Sequence, residues 1–359
     1  MVTLAGRSLV DEAKLQAVVG KAVGDLGATL STAMISIGDR LGLFKALARG
    51  GAATPAELAA RTGTVERYVR EWLAAVAAGG YVEYDPESGR FSLSPEQQIV
   101  LADESSPHCV LGAFESMSAA TRAEPMIAER FRTGDGYPWG EHDARLFEGT
   151  ERFSGAGYAA QLVAAWIPAL DGVEPKLHAG ARVADVGCGH GPSTIVMARA
   201  FPASTFVGYD SHPPSIARAA ELAAQAGISD RVQFEVATAA HFPGEGYDLV
   251  AHFDCLHDLG DPLSAAQRVR AALNPDGTWL IVEPQARDRL EDNLNPIGRL
   301  FYGASTLVCT PHALSEGGDP ALGAQAGEAR IRAIVEAAGF QQFQRAIETP
   351  FNLVFEARP

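Results

Sequence analysis

Cysteine is scarce in this chain: four occur among 359 residues, and no two of them form a Cys-x-x-Cys pair. This scarcity argues against a disulfide framework and against a zinc site of the usual spacing, and it fits a reducing cytoplasm. The nine histidines form no His-x-x-x-His pair or similar cluster, so we predict no metal site. The four cysteines are Cys109, Cys188, Cys255 and Cys309.

Long apolar runs and an excess of positive charge are also missing. No run approaches the roughly 20 apolar residues that a membrane span needs. Asp11 and Glu12 interrupt the N-terminus before a signal-like apolar core develops. Asp and Glu outnumber Lys and Arg by 44 to 29, for a net charge of -15. Because such a surface repels phosphate backbones, we predict no nucleic-acid partner. Because no long apolar run is present, we predict no membrane partner.

Glycine, by contrast, is concentrated at one informative place. An apolar run ends with Asp185, and glycine then follows at every second position, as Gly187, Gly189 and Gly191. Glycine lets the loop turn tightly and lets a ligand lie against bare backbone. A second apolar run ends in Asp210, nineteen residues after the last glycine. A carboxylate there accepts hydrogen bonds from both ribose hydroxyls of a nucleoside, so the pattern indicates a Rossmann-like nucleoside site.

The segments after this loop alternate between strand and helix patterns. Strands that alternate with helices of this length indicate a parallel sheet. Only Thr349-Pro350 separates the two β-rich runs that close the chain, so those two strands must be antiparallel. The predicted strands lie at 206–210, 232–236, 247–253, 278–282, 340–348 and 352–357, and the predicted helices at 213–226 and 262–273.

The first hundred residues indicate a winged helix. Segments 12–27 and 31–48 are rich in Ala and Leu, with apolar positions at helical spacing. The tetrad Thr54-Pro55-Ala56-Glu57 is a capping box that opens a short second helix, and a third helix follows from Thr64. Two β-prone runs then flank the turn residues of 85–89, which predicts a hairpin.

A winged helix also suggests DNA binding. The third helix offers Arg67, Tyr68 and Arg70, but Glu66 and Glu71 balance their charge. Proteins that read DNA normally carry a basic face, so we favour a dimerisation domain over a DNA-binding one.

The Gly-x-Gly-x-Gly spacing resembles motif I of class I S-adenosylmethionine (SAM) methyltransferases, whereas dinucleotide-binding proteins carry Gly-x-Gly-x-x-Gly. The segment 254–258 (Asp-Cys-Leu-His-Asp), together with Asp261-Pro262, resembles the family's sequence after strand four. Segments 131–136 and 315–318 are also similar to the family. Over essentially its whole length, the chain resembles bacterial SAM-dependent methyltransferases with an N-terminal winged helix, including mycobacterial and actinomycete members.

The resemblance implies an α/β fold: a Rossmann-like, seven-stranded methyltransferase sheet with an antiparallel terminal hairpin, plus an N-terminal α-helical winged-helix domain. We expect a winged-helix dimerisation domain at 1–100, a helical linker and substrate-cap region at 101–178, and the SAM-binding domain at 179–359. A lid or substrate insertion is expected at 284–323. The protein is expected to be a cytoplasmic homodimer.

The implied cofactor is SAM, which becomes S-adenosylhomocysteine (SAH). The backbone at Gly187 and Gly189 should lie against its methionyl part, Asp185 should reach its amino group, and Asp210 should hold its ribose. Thr238 stands where the family often has an Asp that bonds the adenine amino group. Phe242 either covers the adenine or packs in the core. Further cofactor contacts are expected at Cys188, Ser211, Ala239, Phe253 and Asp254.

The implied function is methyl transfer to a small molecule, an aromatic or heteroaromatic natural product of secondary metabolism, at oxygen, nitrogen or an electron-rich carbon. His257 follows strand four, where plant-type O-methyltransferases place a His-Asp pair that supplies the base. Imidazole titrates near neutral pH, so it can accept the proton of a phenol. Glu283 and His312 are further catalytic candidates. The candidates for substrate contact are Tyr137, Trp139, Trp166, His257, Tyr302 and His312.

Two alternatives remain open. A SAM-responsive winged-helix regulator would bind DNA, and the balanced charge of the third helix disfavours it. A NAD-dependent dehydrogenase is disfavoured by the glycine spacing and by the terminal hairpin.

Overall fold

The computed structural model of the protein describes residues 10–318 and 321–359. The chain divides into two compact units, Met1–Phe114 and Glu115–Pro359. The first nine residues of the expected winged-helix domain, and residues 319 and 320 of the expected insertion, lie outside the described residues.

The first unit is built from helices and one short antiparallel hairpin. Thr54 caps the helix Pro55–Thr62, and its hydroxyl and the Glu57 carboxylate complete the predicted capping box. Trp72 and Phe44 pack edge to face in the core of this unit. The elements are α1 (Glu12–Arg40), α2 (Leu43–Gly50), α3 (Pro55–Thr62), α4 (Glu66–Ala78), β1 (Glu83–Asp85), β2 (Arg90–Ser92) and α5 (Pro95–Leu101).

The predicted pair of helices at 12–27 and 31–48 was wrong in its boundary. The chain continues as one helix through Arg40, and the break comes at Gly42, whose φ of 67° suits glycine. No residue between 27 and 31 stops a helix, whereas the left-handed backbone at Gly42 does.

The arginines of α4 are paired within the helix. Arg67 lies 2.5 Å from Glu71, and the Arg70 Nε donates to Glu66 over 2.9 Å. The helix therefore presents no unbalanced basic face, as its sequence predicts.

The second unit contains the predicted seven-stranded sheet. Its strands are β3 (Arg182–Val186), β4 (Thr205–Asp210), β5 (Val232–Val236), β6 (Tyr247–Phe253), β7 (Leu273–Pro284), β8 (Gln342–Glu348) and β9 (Asn352–Arg358). They lie side by side in the order β5-β4-β3-β6-β7-β9-β8. Neighbouring strands are parallel except that β9 runs antiparallel to β7 and β8, which confirms the terminal hairpin.

Helices cover both faces of this sheet. Alternate residues of one strand serve the two sides: Val250 joins the core on one face, and Leu249 and Ala251 join the core on the other. None of the described helices is long and apolar enough to span a bilayer. The helices that follow α5 along the chain are α6 (Leu111–Ala120), α7 (Glu124–Thr133), α8 (Ala144–Gln161), α9 (Val173–Ala179), α10 (Pro192–Ala200), α11 (Pro213–Gln225), α12 (Pro262–Ala272), α13 (Pro296–Ala304), α14 (Thr310–Ser315) and α15 (Gly327–Ala337).

The segment 284–323 is more regular than its sequence predicts. It contains α13 and α14, joined by a π-helical turn at Ser305–Cys309. The Asn295 side chain caps α13, and Pro296 occupies its first turn.

Candidate functional site

A cavity opens at the carboxyl ends of the central strands, where the chain order of the sheet reverses around β3. Ligands of open α/β sheets bind at such a switch point. The glycine loop, the end of β4, the segment after β6, α8 and α14 supply the walls. Ten predicted site residues line it: Gly187, Cys188, Gly189, Asp210, Ser211, Ala239, Phe253, Asp254, Trp139 and His312.

The glycine loop follows β3 and needs glycine for two different reasons. A Cβ at Gly187 would come within 2.2 Å of the Cys255 sulfur, and one at Gly191 within 2.7 Å of the Phe234 ring. A Cβ at Gly189 would meet open space, but φ there is 55°, in the left-handed region. The loop therefore presents bare backbone to the cavity.

Asp210 ties this loop to the neighbouring strand. The backbone N–H groups of Gly189 and His212 each donate to one of its carboxylate oxygens over 2.9 Å. The carboxylate is half-buried, and burial raises its pKa. Each oxygen keeps a second lone pair for a ligand hydroxyl.

Asp185 lies beneath the loop and does not line the cavity. The hydroxyls of Ser193 and Thr194 donate to Oδ2 over 2.6 and 2.5 Å, so Asp185 also anchors the first turn of α10. Its Oδ1 is buried without a hydrogen-bond partner among the described residues. Burial raises the pKa of this carboxyl to about 6. An unpartnered buried oxygen is costly and marks a place for a donor from a ligand.

Asp254 follows β6 in a strained backbone conformation. Its φ is 50°, and no other described non-glycine residue has a positive φ. Tyr158 donates to Oδ2 over 3.3 Å and Asn352 to Oδ1 over 3.0 Å. Burial, followed by the nearby Glu283, raises the pKa of Asp254 to about 7. These contacts hold the side chain of Asp254, which lines the cavity.

His257 and Glu283 form a buried pair behind the cavity wall. The Nδ1 of His257 lies 2.7 Å from one Glu283 oxygen, and the other oxygen accepts from the Leu256 N–H over 3.0 Å. Burial disfavours the imidazolium, but the Glu283 carboxylate and Cys309 together outweigh burial, and the pKa of His257 is raised well above its usual value. Cys309 also contacts the imidazole. Neither member of the pair lines the cavity, whereas Asp258 does.

The loop after α7 is attached to α14 over the cavity. Tyr137 N–H donates to the Pro311 carbonyl over 2.8 Å, and Trp139 N–H donates to the His312 Nδ1 over 3.3 Å. Gly136 is required here, because a Cβ would come within 1.9 Å of the Ser315 nitrogen. This contact brings Trp139 and His312, which are 173 residues apart, to one wall.

Other predicted contact residues lie away from the cavity. Thr238 lies beyond the end of β5, is exposed, and its hydroxyl lies 3.1 Å from the His241 Nδ1. Phe242 packs in the core against Tyr209, and Trp166 packs in the core below Tyr158. Aromatic side chains of this size are buried by the helices that cover the sheet. Tyr137 and Tyr302 are also absent from the lining.

Sequence reasoning missed a group of lining residues on α8 and beyond. The side chains on α8 belong to no motif, and only the packing of α8 across the loop reveals them, whereas His190, Asp258 and Glu316 lie within segments that resemble the family. Among the described residues, no three His, Cys, Asp or Glu side chains are grouped as metal ligands. The missed lining residues include Phe147, Thr150, Glu151, Ser154, Tyr158, His190, Asp258 and Glu316.

Comparison with known families agrees with this geometry. Residues 28–103 match the family model of the Rv2258c-like winged HTH domain, and residues 177–326 match that of a methyltransferase domain. The chain carries a class I methyltransferase domain behind a winged-helix domain. The α/β fold and the family resemblance inferred from the sequence are thereby confirmed.

Individual relatives support the same fold. The 27-O-demethylrifamycin SV methyltransferase of Amycolatopsis mediterranei is 31% identical over 178 residues, 49% of this chain and 52% of that one. The chain thus matches about half the length of this curated relative. An O-methyltransferase family protein from Burkholderia thailandensis has a TM-score of 0.69 at 20% identity, covering 98% of this chain and 99% of that one. Human N-acetylserotonin methyltransferase, solved with SAM, has a TM-score of 0.68 at 18% identity, with 98% and 99% covered.

Proposed function

We propose that this methyltransferase transfers a methyl group from SAM to a small molecule, at oxygen, nitrogen or an electron-rich carbon. The observation that carries the proposal is Asp210, a half-buried carboxylate that lines the cavity beside the glycine loop and keeps acceptor capacity on both oxygens. Asp185 supports it, because the unpartnered Oδ1 suits an amino group.

The residues present fit the cofactor. Asp210 would accept the ribose hydroxyls, the backbone at Gly187 and Gly189 would face the methionyl part, and Asp185 would receive its ammonium. The adenine would lie by Ala239, since the side chain of Thr238 is exposed and outside the lining. Small side chains there leave room for a flat ring.

The cofactor supplies an activated methyl group on a sulfonium. The protein must then align the acceptor, exclude water and accept any proton that the acceptor releases. Glu283 orients His257 and stabilises its charged form, which is the arrangement of a general base and its partner. His312 is the second candidate, because it lines the cavity directly.

The acceptor proposed here is an aromatic or heteroaromatic natural product. Trp139, Phe147 and Tyr158 give the cavity three aromatic walls. The curated relative acts on a rifamycin derivative, which supports a role in secondary metabolism. We also propose that regions 101–178 and 284–323 cover the acceptor, since Trp139 and His312 come from them.

The first test is the choice of nucleoside ligand. We expect isothermal titration calorimetry to detect SAH and SAM binding, and little binding of NAD, because the loop lacks the dinucleotide spacing. Tighter binding of NAD than of SAH would contradict the proposed function.

A cytoplasmic location is also proposed. Cys188, Cys255 and Cys309 form no disulfide in the part of the chain that is described, and Cys188 and Cys309 are buried. Such thiols persist most readily in a reducing compartment.

We further propose that the protein is a homodimer formed through α1. Four apolar residues at helical spacing, Val19, Val23, Leu26 and Leu30, are 47 to 67% exposed along one face. Within the described part of α1, only Ile35 and Gly38 are buried. In the proposed dimer, a second copy of the chain covers this apolar face.

We expect light scattering at micromolar concentration to give twice the 37.8 kDa mass of one chain. Combining Val23→Glu with Leu26→Glu should reduce the mass to that of a monomer, because two carboxylates would be buried unpaired at the interface. Val65→Glu, at another exposed apolar position, is the matched control and should remain dimeric. A monomeric wild-type protein would refute the proposal.

A further inference from the structure

Carboxylates dominate the charged groups that line the cavity. Among the described lining residues there is no Lys or Arg, and the only basic side chains are His190 and His312. A cavity of this composition attracts positive charge and repels negative charge. The acidic lining residues are Glu151, Asp210, Asp254, Asp258 and Glu316.

Two of these carboxylates are already engaged. Glu151 lies 2.7 Å from His190 and 3.5 Å from Arg218, so its charge is compensated. Asp210 accepts two backbone N–H groups and is assigned to the ribose. The other three, Asp254, Asp258 and Glu316, lie in the segment after β6 and at the end of α14.

Asp258 is the most available of the three. It is half-buried, and no described residue donates a hydrogen bond to its carboxylate. Burial raises its pKa to about 6, and Glu283 and Glu316 contribute in the same direction against His257 and His312. A bound cation would favour the ionised carboxylate, and a bound anion would oppose it.

Glu316 adds a second negative charge beside it. One oxygen accepts the Gly260 N–H over 2.9 Å, and the other lies 3.7 Å from the His312 Nε2, beyond hydrogen-bond range. His312 accepts a hydrogen bond from the Trp139 N–H at Nδ1 over 3.3 Å. Asp254, Asp258 and Glu316 outnumber this one histidine on their side of the cavity.

We propose that Asp258 and Glu316, which form an acidic wall of the cavity, select methyl acceptors that are uncharged or carry a positive charge away from the reacting atom. The same wall rejects acceptors with a carboxylate. The inference rests on the proposed function and names the substrate class of the same cavity. The aromatic faces of Trp139, Phe147 and Tyr158 strengthen this preference, since their π-systems also attract cations.

Three phenols of the same size test it. Tyramine, 4-hydroxyphenylethanol and 4-hydroxyphenylacetate differ mainly in the charge at the end of the side chain. Binding is measured by calorimetry on the full-length protein saturated with SAH, at a pH of about 8, where the acidic wall is ionised. We expect tyramine to bind best, and the carboxylate to bind at least about tenfold more weakly.

Matched variants test which carboxylates cause the difference in affinity between the phenols. Asp258→Asn and Glu316→Gln remove one charge each with little change in shape. Each should reduce severalfold the ratio of the affinity for tyramine to the affinity for 4-hydroxyphenylacetate; this ratio is called the gap below. Glu336→Gln removes a mostly exposed carboxylate outside the lining and should leave the gap unchanged. The SAH affinity of each variant shows that it has folded, and either pocket variant suffices if the other does not fold.

The outcomes separate the two proposals. No SAH binding by the wild-type protein would overturn the proposed function. Normal SAH binding would leave that function intact, whereas equal binding of the three phenols, or no detectable tyramine binding at about 10 mM, would overturn the charge selectivity. A gap that persists unchanged in both pocket variants would overturn the assignment to Asp258 and Glu316.

Discussion

His257→Ala is expected to lower the methylation rate by about 10²–10⁴-fold, the usual contribution of a general base, while the affinity for SAM stays nearly constant. The reason is geometric: His257 is oriented by Glu283 at 2.7 Å and lies beside Asp258, which lines the cavity. Single-turnover kinetics and calorimetry on the same preparation measure the two quantities. The rate should recover in part at high pH, where an acidic acceptor ionises without help.

His312→Ala is the comparison for this variant. If the His312→Ala variant loses methylation activity and the His257→Ala variant keeps it, the proton goes to His312, the histidine that lines the cavity. A loss of SAM affinity that matches the loss of rate would make His257 a structural residue. Full activity in both variants would mean that the acceptor needs no base from either histidine.

Replacing Glu283 tests the same pair through its pH dependence. A base works in its neutral form, so the rate rises with pH through the raised pKa of His257. Glu283→Gln removes the charge that raises this pKa, and the burial that opposes it remains. The rising limb of the pH–rate profile should therefore move to lower pH, while the maximal rate falls because the imidazole loses its orientation. An unmoved limb would mean that another group titrates.

Asp210→Ala should weaken SAH binding by about 1.5–3 kcal/mol, because charge-assisted hydrogen bonds to the ribose are lost. That corresponds to a roughly 10- to 150-fold higher Kd. The same change frees the backbone N–H groups of Gly189 and His212, which contributes to the loss.

Asp230→Ala is the control for Asp210→Ala. Asp230 is exposed, lies outside the cavity and pairs only with the neighbouring Arg231 in the part of the chain that is described. Its replacement should leave the Kd unchanged. Wild-type affinity in Asp210→Ala would disprove the ribose assignment.

Local patterns were sufficient to predict most of the sheet. Strands β5 and β6 have the predicted boundaries, because β-branched and aromatic runs bounded by turn residues define a strand without help from distant residues. The capping box at Thr54 and Glu57 was predictable for the same reason. Helix boundaries were harder to predict. Helix α1 continues to Arg40, because two adjacent Ala-rich segments form one helix unless a residue such as Gly42 interrupts them.

The site residues also differ in whether local sequence is sufficient to predict them. The positions of Gly187, Gly189, Asp185 and Asp210 could be predicted because local backbone patterns place them at or just after the ends of two strands. Glu283 and His257 could each be placed at a sheet edge, but their 2.7 Å contact depends on how β7 lies beside β6.

The sequence by itself determined the α/β class, the glycine loop and its two carboxylates, because these depend on residues close together in the chain. The tertiary structure decided which side chains face the cavity. It placed Trp166 and Phe242 in the core and Thr238 at the surface, and it brought Trp139 to His312 across 173 residues. It also exposed Asp258 and Glu316 on one wall. The physical reason is that side-chain burial and orientation depend on helices packed over the strand ends, and no short stretch of sequence encodes that packing.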